Sequence, residues 1–249
     1  MYIAIFIANI IIGLLIGISG IAGFLLPMFY TGVYGIMVAD SMAMSFSAFF
    51  VSGVIGAYSY RKSGDIDMPI ALKMGIGSIV GALLGVWCNN MVPVILAKRF
   101  LFLMVFLSGL SLFKNRTDKS GEQIVSPLIG NNAFLVITGA MIALISSFTG
   151  AGGPIITVPL LITLGINVRK AVGISLFNSI FIALPAFIGY QSNATLPNIN
   201  ILLVLCMVSH GIGVTFGAKI SGKIDHKLLK KFVAVVSVVV SCYMFYNTL

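Results

Sequence analysis

Long apolar runs separated by short polar connections dominate the chain. About 20 helical residues cross the hydrocarbon core of a bilayer, and uncharged runs of that length recur from end to end. The pattern therefore predicts an all-α polytopic membrane protein with four apolar segments in each half. In chain order these are Tyr2 to Val38, Asp40 to Tyr60, Pro69 to Asn90 and Leu96 to Phe113, then Ala133 to Ile166, Ala171 to Tyr190, Asn198 to Ala218 and Leu228 to Tyr246.

The two halves of the chain repeat each other. Placing Gly20 over Gly152 also superposes further landmark residues without a gap. These pairs are Pro27 with Pro159, Ala39 with Ala171, Tyr58 with Tyr190, Gly81 with Gly213, Gly85 with Gly217, and Lys98-Arg99-Phe100 with Lys230-Lys231-Phe232. We predict a first repeat over 1–113, a linker over 114–126 and a second repeat over 127–249. A duplicated apolar chain of this kind is typical of transporters with a site between the halves.

The composition supports a membrane protein and limits the other classes. Hydrophobic residues make up 59% of the chain and charged residues 8%, with a mean hydropathy of +1.11. The net charge of +9 comes from Lys and Arg in short connections, where membrane topology and anionic lipid explain it, so nucleic acid is not an expected partner. Cys88, Cys206 and Cys242 have no disulfide or metal-ligand spacing. We therefore expect no cofactor and no metal site.

The first segment of each half is interrupted by a glycine-rich break, at 17–23 and at 149–154. Such a segment is too long for one transmembrane span and too short for two spans of full length. If it crosses once, the protein has eight spans and parallel halves. If it forms a re-entrant hairpin, each half keeps three transmembrane helices and the halves are inverted repeats. The second arrangement places all basic residues except Lys98 and Arg99 on one side, so the positive-inside rule favours inverted repeats.

The two breaks are the strongest candidates for a binding site. Unwound backbone inside a membrane is tolerated only where it is buried in protein or lines a wet cavity. Glycine lets the backbone approach a ligand, and the helix that follows each break would point amides and its positive end inward. This chemistry predicts an anion site without a buried cation. The candidate ligands are Ser19, Gly20 and Gly23 in the first break, and Thr149, Gly150, Gly152, Gly153 and Pro154 in the second.

Small residues also serve close packing between membrane helices. This alternative applies to the breaks, but it fits better the glycines that are spaced in threes and fours along the other segments. Those are Gly13, Gly53, Gly56, Gly77, Gly81, Gly85, Gly213 and Gly217. We interpret this second group as packing residues.

Polar side chains follow each break. Ser41, Ser45 and Ser47 follow the first break, and Ser175, Asn178 and Ser179 follow the second. Helical spacing places the last three on one face, where hydroxyl and amide donors would complete a pocket for a sulfonate or a carboxylate. Hydrogen bonding between helices is the alternative role. Asn178 is the preferred ligand.

Few ionisable residues lie at membrane depth. Asp40 is a candidate for binding a coupling proton, although an N-cap is its simpler role. His210 is a candidate proton carrier, with a buried neutral imidazole as the alternative. Trp87 and Tyr190 are expected to anchor the protein at the membrane interface.

Two helix starts are also visible in the sequence. Asp67 and Thr195 each precede a proline by two residues, a pattern that predicts N-terminal caps.

The second copy carries the motifs Thr149-Gly-Ala-Gly-Gly-Pro-Ile-Ile-Thr-Val-Pro and Ala171-Val-Gly-Ile-Ser-Leu. With the weaker first copy, Gly17-Ile-Ser-Gly-Ile-Ala-Gly and Ala39-Asp-Ser-Met-Ala-Met, the chain resembles the sulfite exporter TauE/SafE family of membrane permeases. The resemblance covers the whole chain. It implies transport of small anions, including sulfite, sulfoacetate, organosulfonates and carboxylates, in the bacterial inner membrane. In the ungapped alignment Ser175 is matched by Ala43, so the first copy departs from the motif.

The predicted function is a secondary transporter for a small, sulfur-containing or organic anion. An anion channel or a structural membrane subunit is the alternative. An intramembrane enzyme is disfavoured because the chain has no His-Glu-x-x-His motif and no paired carboxylates. The expected partners are the anion, membrane lipid, and a proton or sodium ion as the coupling ion. The substrate, the direction of flux and the oligomeric state are left open.

Overall fold

In the computed structural model every regular element of the described chain is a helix. The structure describes residues 1–89 and 125–225 continuously and scattered positions elsewhere. The helices are α1 (Tyr2–Ser19), α2 (Leu25–Tyr34), α3 (Val38–Lys62), α4 (Met68–Asn89), α5 (Asn132–Thr149), α6 (Pro154–Thr163), α7 (Val168–Gln191) and α8 (Ile199–Ser221), with short 3-10 helices at Ala22–Phe24 and Pro127–Gly130. Most of the predicted linker and of the segments Leu96 to Phe113 and Leu228 to Tyr246 lies outside the described residues.

Six of the described helices, α1, α3, α4, α5, α7 and α8, are long and apolar enough to cross a membrane. Their outward faces carry large apolar side chains such as Ile76, Leu83, Val204 and Phe216, while many serines and Asn178 are buried. An apolar exterior around buried polar groups suits a lipid environment. The structure confirms the all-α polytopic membrane fold.

The broken segment of the first half folds back on itself. The amide nitrogen of Asn9, midway along α1, lies 2.8 Å from the hydroxyl of Tyr30 in α2, and that hydroxyl lies 3.3 Å from the thiol of Cys206. Contact between the middle of α1 and the second half of α2 requires α2 to run back beside α1. This buried group of hydrogen bonds therefore holds the hairpin together.

The second half shows the same return. The amide of Ser126, ahead of α5, donates to the carbonyl of Leu164 just after α6, at 2.9 Å. The end of α6 is therefore close to the start of α5. In both halves the broken segment begins and ends at the same end of the bundle.

Contacts at the helix ends give the relative directions of the long helices. The hydroxyl of Tyr60, near the end of α3, donates to the carbonyl of Gly17 near the end of α1, at 3.0 Å, and lies 2.7 Å from the hydroxyl of Ser221 at the end of α8. These three helices therefore run the same way. Asn89 at the end of α4 donates to the carbonyl of Phe148 near the end of α5, at 2.7 Å, so α4 and α5 run together.

The halves meet through an ion pair at one end of the bundle. Arg169, in the first turn of α7, lies 2.8 Å from Asp65, which follows α3. Since the start of α7 is beside the end of α3, these two helices are antiparallel. The hydroxyl of Tyr190, near the end of α7, lies 2.7 Å from the carbonyl of Ser147 near the end of α5, so α4, α5 and α7 run opposite to α1, α3 and α8.

Glycines let the first helix of each half pack tightly on the fourth helix of the other half. A Cβ atom at Gly81 in α4 would overlap the carbonyl of Ala140 in α5, and one at Gly213 in α8 would overlap the carbonyl of Ile10 in α1. No side chain larger than hydrogen fits between backbones at that separation. The packing interpretation of these glycines is confirmed.

The internal alignment needs a correction. Gly20 and Gly150, not Gly152, occupy the equivalent left-handed positions after α1 and α5, with φ of 78° and 73°. Likewise Tyr60 is the counterpart of Tyr190, and by the same offset Ser45 corresponds to Ser175. A single ungapped shift is wrong by two residues for the first and third helices of each half. The reason is that the connection before α8 (192–198) is two residues longer than that before α4 (63–67).

Candidate functional site

Each break begins where a helix stops in a left-handed glycine. The amide of Gly20 donates to the carbonyl of Ile16 at 2.7 Å, and that of Gly150 to the carbonyl of Ser146 at 2.9 Å. A positive φ is readily adopted by glycine and costs other residues free energy. The two glycines therefore stop α1 and α5 at equivalent points inside the bundle.

Stopping a helix in a membrane exposes carbonyls that need partners, and tyrosines provide them. Tyr60 donates to the carbonyl of Gly17, and Tyr190 donates to the carbonyl of Ser147 at 2.7 Å. Tyr190 is only 2% exposed, so the prediction that it anchors the protein at the membrane interface is wrong. Its hydroxyl instead stabilises the end of α5.

Ser19 and Thr149 hold the breaks in shape. Each hydroxyl donates to the carbonyl four residues earlier in its helix, at 2.9 and 2.7 Å, and accepts from the amide two residues later, at 3.4 Å. These hydroxyl protons are used within the break. The structure places both residues in the predicted region, with a role in fixing the backbone.

The two breaks contact each other in the interior. The position that a Cβ atom would take at Gly20 lies 3.3 Å from Pro154 and 3.5 Å from the hydroxyl of Ser175. The corresponding position at Gly23 lies 3.4 Å from the carbonyl of Ala151. All of these residues are buried. Residues from both halves are thus brought into one cluster.

The second break contains free amide groups. Among the residues that the structure describes, none accepts a hydrogen bond from the amide of Gly152 or of Gly153. Both residues immediately precede Pro154, the first residue of α6, and Gly152 has a φ of 76°. Two buried N–H groups at the positive end of a helix form an environment that favours a negative ligand.

The predicted serines donate within their own helices. Ser175 donates to the carbonyl of Val172 at 2.8 Å, and Ser179 donates to the carbonyl of Ser175 at 2.9 Å. Ser41 and Ser45 do the same in α3, at 3.3 and 2.7 Å. Such bonds can be exchanged by rotating the hydroxyl. Of the four, the structure places Ser175 beside Gly20 and Ser179 beside Gly153, with the Ser179 hydroxyl 3.8 Å from the Cβ position of Gly153.

Asn178 joins α7 to α4. Its side chain is fully buried, and its amide lies 2.9 Å from the hydroxyl of Ser78, which is 3.0 Å from the carbonyl of Gly139. In either orientation of this amide, one of its two polar atoms has no partner among the described residues. Asn178 therefore makes an interhelical hydrogen bond and has one further polar atom available to bind a ligand.

Asp40 occupies one end of the bundle. Its carboxylate accepts from the amides of Thr195 and Leu196 at 2.8 and 3.1 Å, so it ties α3 to the connection before α8. The N-cap position of α3 is Met37, so the N-cap prediction for Asp40 is wrong. The predicted cap by Thr195 is also wrong because Thr195 bonds Asp40. Asp67 does cap α4, accepting from an amide three residues later at 3.3 Å.

His210 lies deeper than Asp40. It is fully buried in α8, its ring centroid is 6.4 Å from that of Phe49, and neither ring nitrogen has a partner among the described residues. Phe49 itself was not predicted from the sequence. An apolar residue in an apolar segment has no sequence feature that marks it as functional. Tyr60, by contrast, could have been found from the sequence, because an alignment of the halves that allows a gap pairs it with Tyr190.

Among the described residues, no group of three or more His, Cys, Asp or Glu side chains could hold a metal ion.

Comparison with known proteins places the whole chain in context. The model of the family described as sulfite exporter TauE/SafE matches residues 3–244. YdhB, a probable membrane transporter protein of Bacillus subtilis, is 29% identical over 227 residues, covering 90% of this chain and 91% of that protein. A probable membrane transporter protein of Haemophilus influenzae is 25% identical over 94% of each chain. MJ0441, a probable membrane transporter protein of Methanocaldococcus jannaschii, is 24% identical over 89% of this chain and 84% of its own length. No solved structure gives a significant match.

Proposed function

Because the chain belongs to the sulfite exporter TauE/SafE family, we propose that this membrane transporter carries a small sulfur-containing or organic anion. The observation that supports an anion is the pair of free amides at Gly152 and Gly153, buried where the two breaks meet. No Lys or Arg is among the buried residues of the described chain. Backbone amides at a helix start then provide the positive potential, and Asn178 and the Ser179 hydroxyl complete the site.

The proposed mechanism is alternating access between inverted repeats. The antiparallel directions of corresponding helices support this arrangement, as do the breaks beside the midpoints of α3 and α7. Unwound segments at the interface of two such repeats commonly form the site around which the halves move. The anion would be held by the breaks while the bundle opens to one side or the other.

The coupling ion is proposed to be a proton or a sodium ion. His210 is the better proton candidate because its ring faces Phe49, which contacts both breaks. Asp40 is bound to backbone amides at the end of the bundle and is assigned a structural role. If His210→Gln retains the wild-type pH profile of transport, His210 is not the proton carrier. We further propose that the protein lies in the inner membrane of a bacterium, with its basic connections facing the cytoplasm.

The proposed function is tested by flux in proteoliposomes. Labelled sulfite, sulfoacetate and acetate should each be assayed with imposed proton and sodium gradients. We expect saturable, gradient-dependent flux of at least one anion. Flux that does not saturate would identify a channel, and absence of flux for all three anions would contradict the proposed substrate class.

The site is tested by Gly152→Leu. A leucine at this positive φ is strained, and its side chain would enter the space occupied by the Phe49 ring, 3.4 Å from the Cβ position. We expect a loss of flux of at least tenfold with normal membrane insertion. The matched control is Gly32→Leu in α2, because no atom lies within 4 Å of the Cβ position of Gly32. Normal flux in Gly152→Leu would remove the second break from the mechanism.

A further inference from the structure

The ring of Phe49 lies between the two breaks. Its atoms are 3.1 Å from the position that a Cβ atom would take at Gly23 and 3.4 Å from that position at Gly152. Phe49 is near the midpoint of α3 and is 4% exposed. One apolar side chain therefore touches the unwound backbone of both halves, beside the amides assigned to the anion.

Aromatic contacts connect Phe49 to the groups that stabilise the breaks. Its ring packs edge-on against Phe46 with centroids 5.6 Å apart, and Phe46 stacks on Tyr190 at 5.8 Å with an interplanar angle of 2°. Tyr190 is the residue that bonds the end of α5. The Phe49 ring consequently has a defined position rather than a free one.

The other half has a small polar residue at the equivalent place. With the corrected alignment, Phe49 corresponds to Ser179, near the midpoint of α7. The Ser179 hydroxyl lies 3.8 Å from the Cβ position of Gly153. The two repeats thus place a hydroxyl beside the second break and a phenyl ring in contact with both breaks. A hydroxyl can bond an anion, whereas the phenyl ring only occupies volume beside the same breaks.

We propose that Phe49 is a size-limiting plug, and that its ring sets the largest solute accepted between the two breaks. This inference rests on the proposed function, since the solute is the anion held by the Gly152 and Gly153 amides. An anion whose substituent exceeds the space left by the ring must displace it. Shortening the side chain enlarges the site without changing any of the polar groups that bind the charge.

The first test is a size series with a constant head group. Proteoliposome uptake of methanesulfonate, ethanesulfonate and butanesulfonate is compared between wild type and Phe49→Ala. We expect the rate for the largest relative to the smallest anion to rise at least tenfold in Phe49→Ala. Phe50→Ala is the matched control, since Phe50 is the adjacent half-buried ring, and its size profile should equal that of wild type. A Phe49→Ala profile parallel to wild type overturns the proposal.

The second test does not depend on which anion is transported. Ser179→Cys is made in a background with Cys88, Cys206 and Cys242 replaced by alanine, and its thiol is reacted with an anionic sulfonatoethyl methanethiosulfonate. Adding Phe49→Ala should raise the modification rate at least tenfold, while adding Phe50→Ala should leave it unchanged. Equal rates of thiol modification with and without the Phe49 ring overturn the proposal that Phe49 is a plug, even if the wild type transports none of the sulfonates. Failure of transport with accelerated modification would instead contradict only the proposed substrate.

Discussion

Replacing Tyr190 by phenylalanine tests whether a single hydroxyl supports the second break. The substitution keeps the ring that stacks on Phe46 and removes only the donor to the carbonyl of Ser147, 2.7 Å away. In a continuous helix that carbonyl would accept from the amide of Ala151, four residues later. Here the Ala151 amide bonds the hydroxyl of Thr149 instead.

The expected loss of unfolding free energy follows from the lack of a second hydrogen-bond donor for the carbonyl of Ser147. Hydrogen bonds between membrane helices contribute about 0.6 kcal/mol on average, because the same groups also find partners in the unfolded state within the membrane. A buried carbonyl left with no partner costs about 1–3 kcal/mol. Since Tyr190 is buried and water is excluded, we expect Tyr190→Phe to lower the free energy of unfolding by about 1–2 kcal/mol.

The assay is reversible unfolding in mixed micelles, with the fraction of sodium dodecyl sulfate as the denaturant axis. Tyr60→Phe should behave similarly because Tyr60 supports the carbonyl of Gly17 at the equivalent point. The control is Tyr58→Phe, whose side chain is 70% exposed, and which should stay within about 0.5 kcal/mol of wild type. A Tyr190→Phe protein as stable as the Tyr58→Phe protein would refute the role of the hydroxyl.

Two further changes probe the packing and the connection between the halves. Gly77→Ala would place a methyl group against the carbonyl of Val136 in α5, so we expect it to lower the free energy of unfolding by about 1–3 kcal/mol in the same assay. Gly32→Ala, which has open space around it, should be neutral or stabilising. Equal stability of the two variants would contradict the helix packing. Asp65→Asn removes the ion-pair partner of Arg169. Because both side chains are partly exposed, we expect the free energy of unfolding to fall by less than about 1 kcal/mol. Raising the salt concentration should destabilise the wild type but not Asp65→Asn, and an identical salt response in both would show that the ion pair contributes nothing.

The membrane class, the six described spans and the two breaks were predictable because they depend on local composition. Hydrophobic length identifies a span, and a run such as Gly150-Ala-Gly-Gly-Pro disfavours a continuous helix. The tight helix contacts at Gly81 and Gly213 were also predictable, since small residues spaced in fours have few other uses in a membrane helix.

Long-range partners were not predictable. The choice of Asp40 as an N-cap considered only its neighbours in sequence, yet its bonds reach Thr195 and Leu196 in the other half. The ungapped alignment failed because it allowed no insertion in the connection before α8, and it therefore concealed the pairing of Gly20 with Gly150. Phe49 contacts both breaks only because they converge in the fold, although they are far apart in sequence.

The corrected alignment shows that the two ends of the bundle are tied at equivalent places by different chemistry. At one end, Arg169 at the start of α7 pairs with Asp65 in the connection after α3. At the other, Asp40 at the start of α3 binds the amides of Thr195 and Leu196 in the connection after α7. Each tie joins one half to the other. Because one tie is an ion pair and the other a carboxylate bound to neutral amides, salt screens the attraction of two charges only at the first end. A fold whose helices are arranged symmetrically therefore has two chemically different ends, one tied by an ion pair and the other by a carboxylate on backbone amides.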